Sequence, residues 1–178
     1  MTPNSLKAAE VKSLYAQHGS ALAAYGCCCG LDFAAAEDVV QQVFLKLLQG
    51  RTTTPENPLA YLYRAVRNAS FNRRRDLRRE VEMPADETWL VGHGHSREEI
   101  LAVQAAVRDL PEEQRETVFL KVWGGMTLQE IAGVLEIPMN TAASRYRYAL
   151  EKLRERLQPV RSAGGNYAGR NYAGPRKR

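Results

Sequence analysis

The sequence lacks the marks of most enzymes and of a membrane-spanning protein. It contains no glycine-rich phosphate loop, no H-E-x-x-H pair, and no serine or cysteine set against a plausible histidine. Phosphate cradling, zinc-assisted hydrolysis and nucleophilic catalysis therefore have no foothold, and neither a catalytic role nor a cofactor is expected. The longest apolar stretches, Leu22 to Leu31 and Val118 to Val122, fall well short of the roughly 20 residues that span a bilayer. Met1-Thr2-Pro3-Asn4-Ser5 has neither the basic start nor the apolar centre of a secretion signal, so a cytoplasmic chain without membrane insertion is expected.

Cysteine is scarce and oddly placed. The three cysteines are consecutive, Cys27, Cys28 and Cys29. Adjacent cysteines bring their Cα atoms too close for an unstrained disulfide, and the set lacks the C-x2-C spacing of a zinc site. They read first as small apolar helix residues, with a redox or metal role alongside His18 as the lesser alternative. His93-Gly94-His95 stands in an acidic, aperiodic stretch and reads as solvated rather than metal-binding.

Positive charge is also less general than the total suggests. The formal net charge is +5, but Arg161, Arg170, Arg176, Lys177 and Arg178 account for all of it. Residues 1–160 are formally neutral, so bulk charge says little about nucleic acid and local patterning must decide.

Strand-forming alternation is rare, while helical spacing recurs along the chain. Helices are predicted from about Leu6 to Cys29, Ala34 to Leu48 and Pro58 to Arg79. The first carries Val11, Leu14, Tyr15, His18, Leu22 and Tyr25 along one side. Residues 81–96 hold Pro84, Gly92 and Gly94 without helical period and read as a flexible linker. Ser96 and Glu99 form a capping box that starts a helix at Arg97, and Pro111 starts another with Glu112 and Glu113 in its first turn. The expected fold is all-α: two small helical domains, about 5–80 and 97–158, followed by a basic tail, 159–178. That tail repeats Asn-Tyr-Ala-Gly and has too few apolar residues to fold.

The sharpest local signal is a helix-turn-helix between Met126 and Leu150. Thr127 and Glu130 cap a short helix with Leu128, Ile131, Ala132 and Leu135 inward. Glu136-Ile137-Pro138 makes the turn. The second helix places Ala142, Tyr146, Ala149, Leu150, Leu153 and Leu157 on its inner face. Its exposed start carries Asn140, Thr141, Ser144, Arg145, Arg147 and Tyr148. Short amides and hydroxyls there suit base edges in a major groove, and arginines one turn on suit phosphates.

The third helix is basic in a different way. Leu59, Leu62, Ala65, Val66 and Ala69 form an apolar stripe, and Arg64, Arg67, Phe71, Arg74, Arg75 and Arg78 form a second one. Tyr61, Tyr63, Asn68 and Asn72 lie among them, and Asp76 is the only acid from Tyr61 to Arg79. A solvated face would mix charge signs. Arginine interleaved with rings instead suits single-stranded or melted DNA, giving cations to phosphates and rings to unstacked bases.

These residues resemble a known family. Ala36-Glu37-Asp38-Val39-Val40-Gln41-Gln42-Val43-Phe44-Leu45-Lys46-Leu47-Leu48 resembles the A-E-D-L-V-Q-E-V-F-L-R-L-W run of extracytoplasmic-function (ECF) sigma factors. Ala60 to Asn68 is similar to their A-W-L-Y-R-I-A-R-N. Leu110-Pro111, Gln114-Arg115-Glu116 and the helix-turn-helix resemble their C-terminal domain. The resemblance covers about residues 10–80 and 97–157, in order.

It implies a factor that binds core RNA polymerase and directs promoter recognition, −10 melting and transcription initiation. Asp38, Gln41, Gln42, Phe44 and Leu45 would dock on the polymerase clamp helices. The loop Arg51–Pro58, with Tyr61, Arg64, Arg67, Asn68, Phe71, Asn72, Arg74 and Arg75, would melt and read the −10 element. Asn140, Thr141, Ser144, Arg145 and Arg147 would read the −35 element, with Arg115 as a backbone contact. The linker acids Glu80, Glu82, Asp86 and Glu87 would lie in the RNA channel, and an anti-sigma factor is a family expectation. Tyr61 stands for the usual tryptophan, Asn72 for a common aspartate, Ala143 for a frequent lysine and Glu136 for a turn glycine. The cysteine triplet fills a stretch that is often arginine-rich.

Two other readings compete: a helix-turn-helix regulator without sigma function, and a sigma-like decoy that binds an anti-sigma factor. A regulator has no need of the Ala36–Leu48 helix or the arginine–aromatic helix. A decoy has no need of DNA-facing side chains.

Overall fold

A computed structural model describes residues 8–49, 56–76 and 96–163, with side chains to residue 157. The loop 51–55, the linker with its acids and histidines, and the tail from 164 onward lie outside the described residues. The described residues form seven helices and no strand: α1 (Ala8–Cys28), α2 (Phe33–Leu48), α3 (Pro58–Asp76), α4 (Arg97–Arg108), α5 (Glu112–Val122), α6 (Leu128–Leu135) and α7 (Met139–Ala163). The all-α expectation holds, and α7 runs past residue 158, where the change of composition places the end of the second domain.

Caps set most of the boundaries. Both predicted capping boxes form: Ser96 Oγ accepts from the Glu99 amide at 3.2 Å, and Thr127 Oγ1 accepts from the Glu130 amide at 3.2 Å. The glutamates return bonds to the Ser96 and Thr127 amides at 2.9 and 2.8 Å. Two further caps were not anticipated. Asp32 accepts from the Ala35 amide at 2.7 Å, and Asn57 from the Ala60 amide at 3.0 Å. An oxygen-bearing side chain just before each helix satisfies an amide that has no partner within the helix. Pro111 serves as the N-cap of α5 rather than its first helical residue.

In the N-terminal unit α1 packs along α2 and both rest on α3. Gly26 makes that approach possible: a Cβ there would lie 2.8 Å from Ala36 Cβ. The helix then closes in a Schellman motif, with Gly30 at φ +90°, the Leu31 amide bonding to Gly26 O at 3.2 Å and the Gly30 amide to Cys27 O at 2.8 Å. In the C-terminal unit α5, α6 and α4 pack against α7. Ile131, Ala132, Leu135, Ala142 and Ala149 are buried as expected, whereas Leu150 is exposed.

One feature departs from a one-sided amphipathic helix. Every residue from Leu22 to Leu31 is buried. The last turns of α1 are enclosed by α2 and α3 on their own side and by α5 of the C-terminal unit on the other. An apolar segment with no polar face is buried all round, and here two units supply the cover. All three cysteines are buried, and none forms a disulfide. Burial pushes the Cys28 and Cys29 thiols well above the ordinary value.

Candidate nucleic-acid interface

The helix-turn-helix forms as the sequence indicates. α6 ends at Glu136, which adopts the left-handed conformation at φ 57° and ψ 45°. The Ile137 amide then reaches Ala132 O at 3.0 Å and the chain turns into α7. At the start of α7, Asn140 and Arg147 are exposed and Thr141, Ser144 and Arg145 half-buried. Ser144 donates its hydroxyl to Asn140 O at 2.6 Å, which leaves its lone pairs as acceptors. The Arg147 guanidinium lies 4.9 Å from the centre of the exposed Tyr148 ring, which splays it along the surface. Arg145 turns back toward Glu113 of α5, at 4.0 Å.

On α2, Asp38, Gln41, Gln42 and Leu45 recur at helical spacing on one exposed side. Phe44, grouped with them from the sequence, is buried instead and meets the Tyr15 ring edge-on at 5.1 Å. It supports the face from beneath. Leu45, Leu48 and Tyr15 leave an apolar patch open beside the polar residues, at 54%, 47% and 46% exposure.

The arginine helix is arranged differently. Asn68, Asn72 and Arg75 are open to solvent, and Tyr61 and Phe71 are half-buried. Arg67 and Arg74 flank the Phe71 ring, their guanidinium carbons 4.7 and 5.5 Å from its centre. This is the cation–ring interleaving the spacing suggested. Tyr63 belongs elsewhere: it is buried and meets Tyr25 edge-on at 5.2 Å.

Three of the arginines meet acids from the C-terminal unit. Arg67 grips Glu116 through both carboxylate oxygens, at 2.8 and 3.3 Å. Arg74 donates to Glu112 at 2.8 Å. Arg64 stands 4.0 Å from Glu136, a largely solvated pair that contributes little. Glu116 is 1% exposed and also accepts from the Tyr25 hydroxyl at 3.1 Å, with the Cys29 thiol at 3.7 Å. Burial works against the Arg67 charge, but its hydrogen bonds and charge contact with Glu116 outweigh this and raise its pKa.

The end of α1 completes the seam. Its last carbonyls, beyond the two satisfied by the Schellman bonds, accept from arginines: Cys28 O from Arg115 Nε at 3.0 Å and Cys29 O from Arg74 at 2.9 Å. Cations at a helix C-terminus also suit its dipole. Arg115, expected at a DNA backbone, additionally donates to Arg108 O at 2.9 Å. Asn57 reaches Glu130 across the same seam at 2.8 Å. From the sequence Glu116 entered only as part of the C-terminal resemblance, and neither it nor Asn57 was assigned a role. A glutamate inside an otherwise apolar turn, Glu116-Thr117-Val118-Phe119-Leu120, was the available signal.

Comparison with known proteins agrees with this layout. Residues 14–80 match the family description Sigma-70 region 2, and residues 100–153 match Sigma-70, region 4. The ECF RNA polymerase sigma factor SigL of Mycobacterium tuberculosis is 31% identical over 165 residues, covering 86% of this chain and 92% of that protein. The RNA polymerase sigma-H factor of Pseudomonas aeruginosa is 26% identical over 147 residues, 72% of this chain and 76% of that one. Among solved structures, the sigma factor RpoE of Bartonella quintana, in complex with the anti-sigma factor NepR, matches with a TM-score of 0.66 at 22% identity. That match covers 85% of this chain and 99% of the other, and shows the same fold. With both regions matched in order, and a relative aligned over nearly its whole length, the chain belongs to the ECF family of RNA polymerase sigma factors, which bind core polymerase and direct it to promoters.

Proposed function

We propose a division of labour among three faces of this sigma factor. The exposed side of α2, Asp38, Gln41, Gln42 and Leu45 with the apolar patch beside it, docks on core polymerase, and Phe44 holds that face in shape. The arginine–aromatic side of α3, through Tyr61, Arg64, Arg67, Asn68, Phe71, Asn72, Arg74 and Arg75, takes the melted −10 strand. The start of α7, through Asn140, Thr141, Ser144, Arg145 and Arg147, reads the −35 duplex, with Arg115 at the backbone.

The observation that carries this reading is the presence of three chemically distinct faces on one chain. A regulator without sigma function accounts for α6 and α7 but leaves the α2 face and the α3 rings without a task. A decoy leaves the outward Asn140 and Arg147 without one. Catalysis has no part in this reading, and the factor acts in the compartment that holds polymerase. The solved relative carries an anti-sigma factor, and a comparable partner for this chain belongs to the same reading.

The test is transcription in vitro from a pool of genomic promoter fragments with core polymerase. New starts that depend on the protein, and that share −35 and −10 elements, are expected. Arg147→Ala should weaken dependence on the −35 element and Asn68→Ala on the −10 element. Core binding without any protein-dependent start would favour the decoy.

A further inference from the structure

A cavity of about 210 Å³ opens between α1 and α2, and none of the residues assigned above to DNA lines it. Helical spacing builds its walls. Tyr15, Gly19 and Ala23 recur every fourth residue on α1, facing Phe33, Glu37 and Val40 on α2. Gly19 and Ala23 are small, so the helices leave a hollow where larger side chains would have closed it. The Tyr15 ring leans over Gly19, where an added Cβ would stand 3.6 Å from the ring carbons. Phe44 meets the same ring edge-on from beneath. Tyr15 is therefore held upright as one wall, and the exposed Phe33 ring forms another.

The lining carries one carboxylate, Glu37, and one aliphatic hydroxyl, Ser20, but no lysine, arginine or histidine. A carboxylate between aromatic walls attracts a cation, because rings offer negative potential on their faces. The kind of cation follows from what the cavity lacks. A primary ammonium brings three N–H donors and a guanidinium five, and each donor that enters without an acceptor forfeits its water. Over Gly19, Ala23 and Val40 most of those donors would go unmet. A quaternary ammonium has no donor to satisfy, and its methyl groups suit rings and small apolar side chains. The volume lies below the roughly 300 Å³ at which drug-sized sites begin, which leaves room for the head group and a short arm.

We propose that this cavity binds a small quaternary ammonium compound. Tyr15 and Phe33 stand beside the methyl groups, Glu37 balances the charge, and Ser20 serves a polar group on the arm. Tyr15 also borders a second, apolar cavity lined by Leu45 and Leu48, within the patch assigned above to core polymerase. One ring is thus a wall of both sites, and a ligand that steadies it steadies the docking patch. Occupancy tightens core docking, and core polymerase tightens the ligand by the same factor. This coupling rests on the polymerase assignment proposed above, whereas the binding itself does not.

The experiment uses the full chain with choline as the probe. The controls are guanidinium and the neutral isostere of choline, in which carbon replaces the ammonium nitrogen. Amide chemical shifts of the isotope-labelled chain read where and how tightly each compound binds. Choline should shift residues 15–23 and 33–40 saturably. The isostere should bind about fivefold more weakly or worse, the worth of one cation–ring contact. Glu37→Gln, which keeps the shape and removes the charge, should weaken choline by a similar factor. Gly19→Ala places a methyl in the hollow at ordinary contact distance. It should weaken choline further, raise the melting temperature through better helix propensity, and leave choline-free transcription unchanged.

No saturable shift with choline would overturn the site. Equal binding of the isostere would overturn the cation, and tighter binding of guanidinium would overturn the quaternary head group. Choline affinity unchanged in both folded variants would overturn the location. Affinity of core polymerase for the fluorescently labelled chain, measured with and without choline, should rise a few-fold with it. An unchanged value would overturn the coupling and leave the site standing. Failure of core polymerase to bind the choline-free chain would instead overturn the docking assignment of α2, and the coupling with it.

Discussion

The two arginine-bearing helices, α3 and α7, look alike in sequence and differ in structure. Each shows a polar side that carries arginines. On α7 that side faces solvent, with Asn140 and Arg147 open. On α3 the two central arginines are occupied by acids from across the molecule. The difference does not lie in the helices themselves. It lies in what packs against them, because Glu112 and Glu116 are carried by α5, some 40 residues further along the chain. An arginine can be placed on a helix face by spacing alone, but its availability depends on partners that spacing does not reveal.

This contrast can be broken by substitution. The largest effect is expected for Arg67→Ala, which leaves Glu116 buried without its cation. Removing one partner of a buried pair costs about 3 kcal/mol or more, so the fold should lose on that order in a denaturant titration. If Arg67→Ala costs no more than a surface substitution, the seam contributes nothing and the contrast fails.

Alkaline pH offers a second route. Burial raises the Cys28 and Cys29 thiols above the ordinary value of 9.0, and the Tyr25 phenol above 10.0. A raised folded-state pKa means these groups favour the fold fully below the unfolded value and lose that contribution as pH rises past it. Each buried thiol should therefore withdraw about 1.4 kcal/mol per pH unit above 9. Melting temperature followed from pH 7 to 11 should fall beyond 9, and after Cys28→Ala with Cys29→Ala the fall should begin only near 10, where the buried Tyr25 phenol takes over. A flat profile in the native chain would mean that the end of α1 is more open than its packing indicates.

A smaller gain is expected at the turn between α6 and α7. Glu136 holds a left-handed conformation that costs a side-chain-bearing residue roughly 1 kcal/mol relative to glycine. Glu136→Gly should raise thermal stability by about that much, and the loss of the exposed Arg64 pair should offset little of it. Arg147→Ala closes the series. Its guanidinium is exposed, so stability should stay within about 0.5 kcal/mol. The salt dependence of −35 duplex binding should fall by roughly one unit of slope, measured by titration at several ionic strengths. A stability loss matching that of Arg67→Ala would erase the distinction between the helices.

Local chemistry made much of the fold legible. Ser96 with Glu99 and Thr127 with Glu130 announced two helix starts because capping depends on residues three positions apart. The inner face of the helix-turn-helix, Leu150 apart, followed from apolar spacing, and the α2 residues were named from the resemblance to ECF sigma factors. What escaped was long-range. Phe44 was grouped with the exposed residues of α2 but is buried and meets the ring of Tyr15, 29 residues earlier in the chain. Tyr63 was set beside the arginines but faces Tyr25. The sequence also did not reveal that Arg115, assigned to the DNA backbone, donates to the carbonyls of Cys28 and Arg108. The apolar run from Leu22 to Leu31 held the missing clue. Its lack of any polar face required cover from two sides, and one sigma region could supply only one.

The carbonyls at the end of α1 have a consequence for inheritance. Cys28 and Cys29 contribute to the seam through their main-chain oxygens, and those oxygens belong to whatever residue stands at each position. A lineage can therefore replace the cysteine triplet with other small apolar residues without erasing the acceptors for Arg74 and Arg115. Mutation can reach this half of the seam only through the arginines or through bulk. Whatever side chains stand there, the backbone beneath them continues to offer the same two docking points.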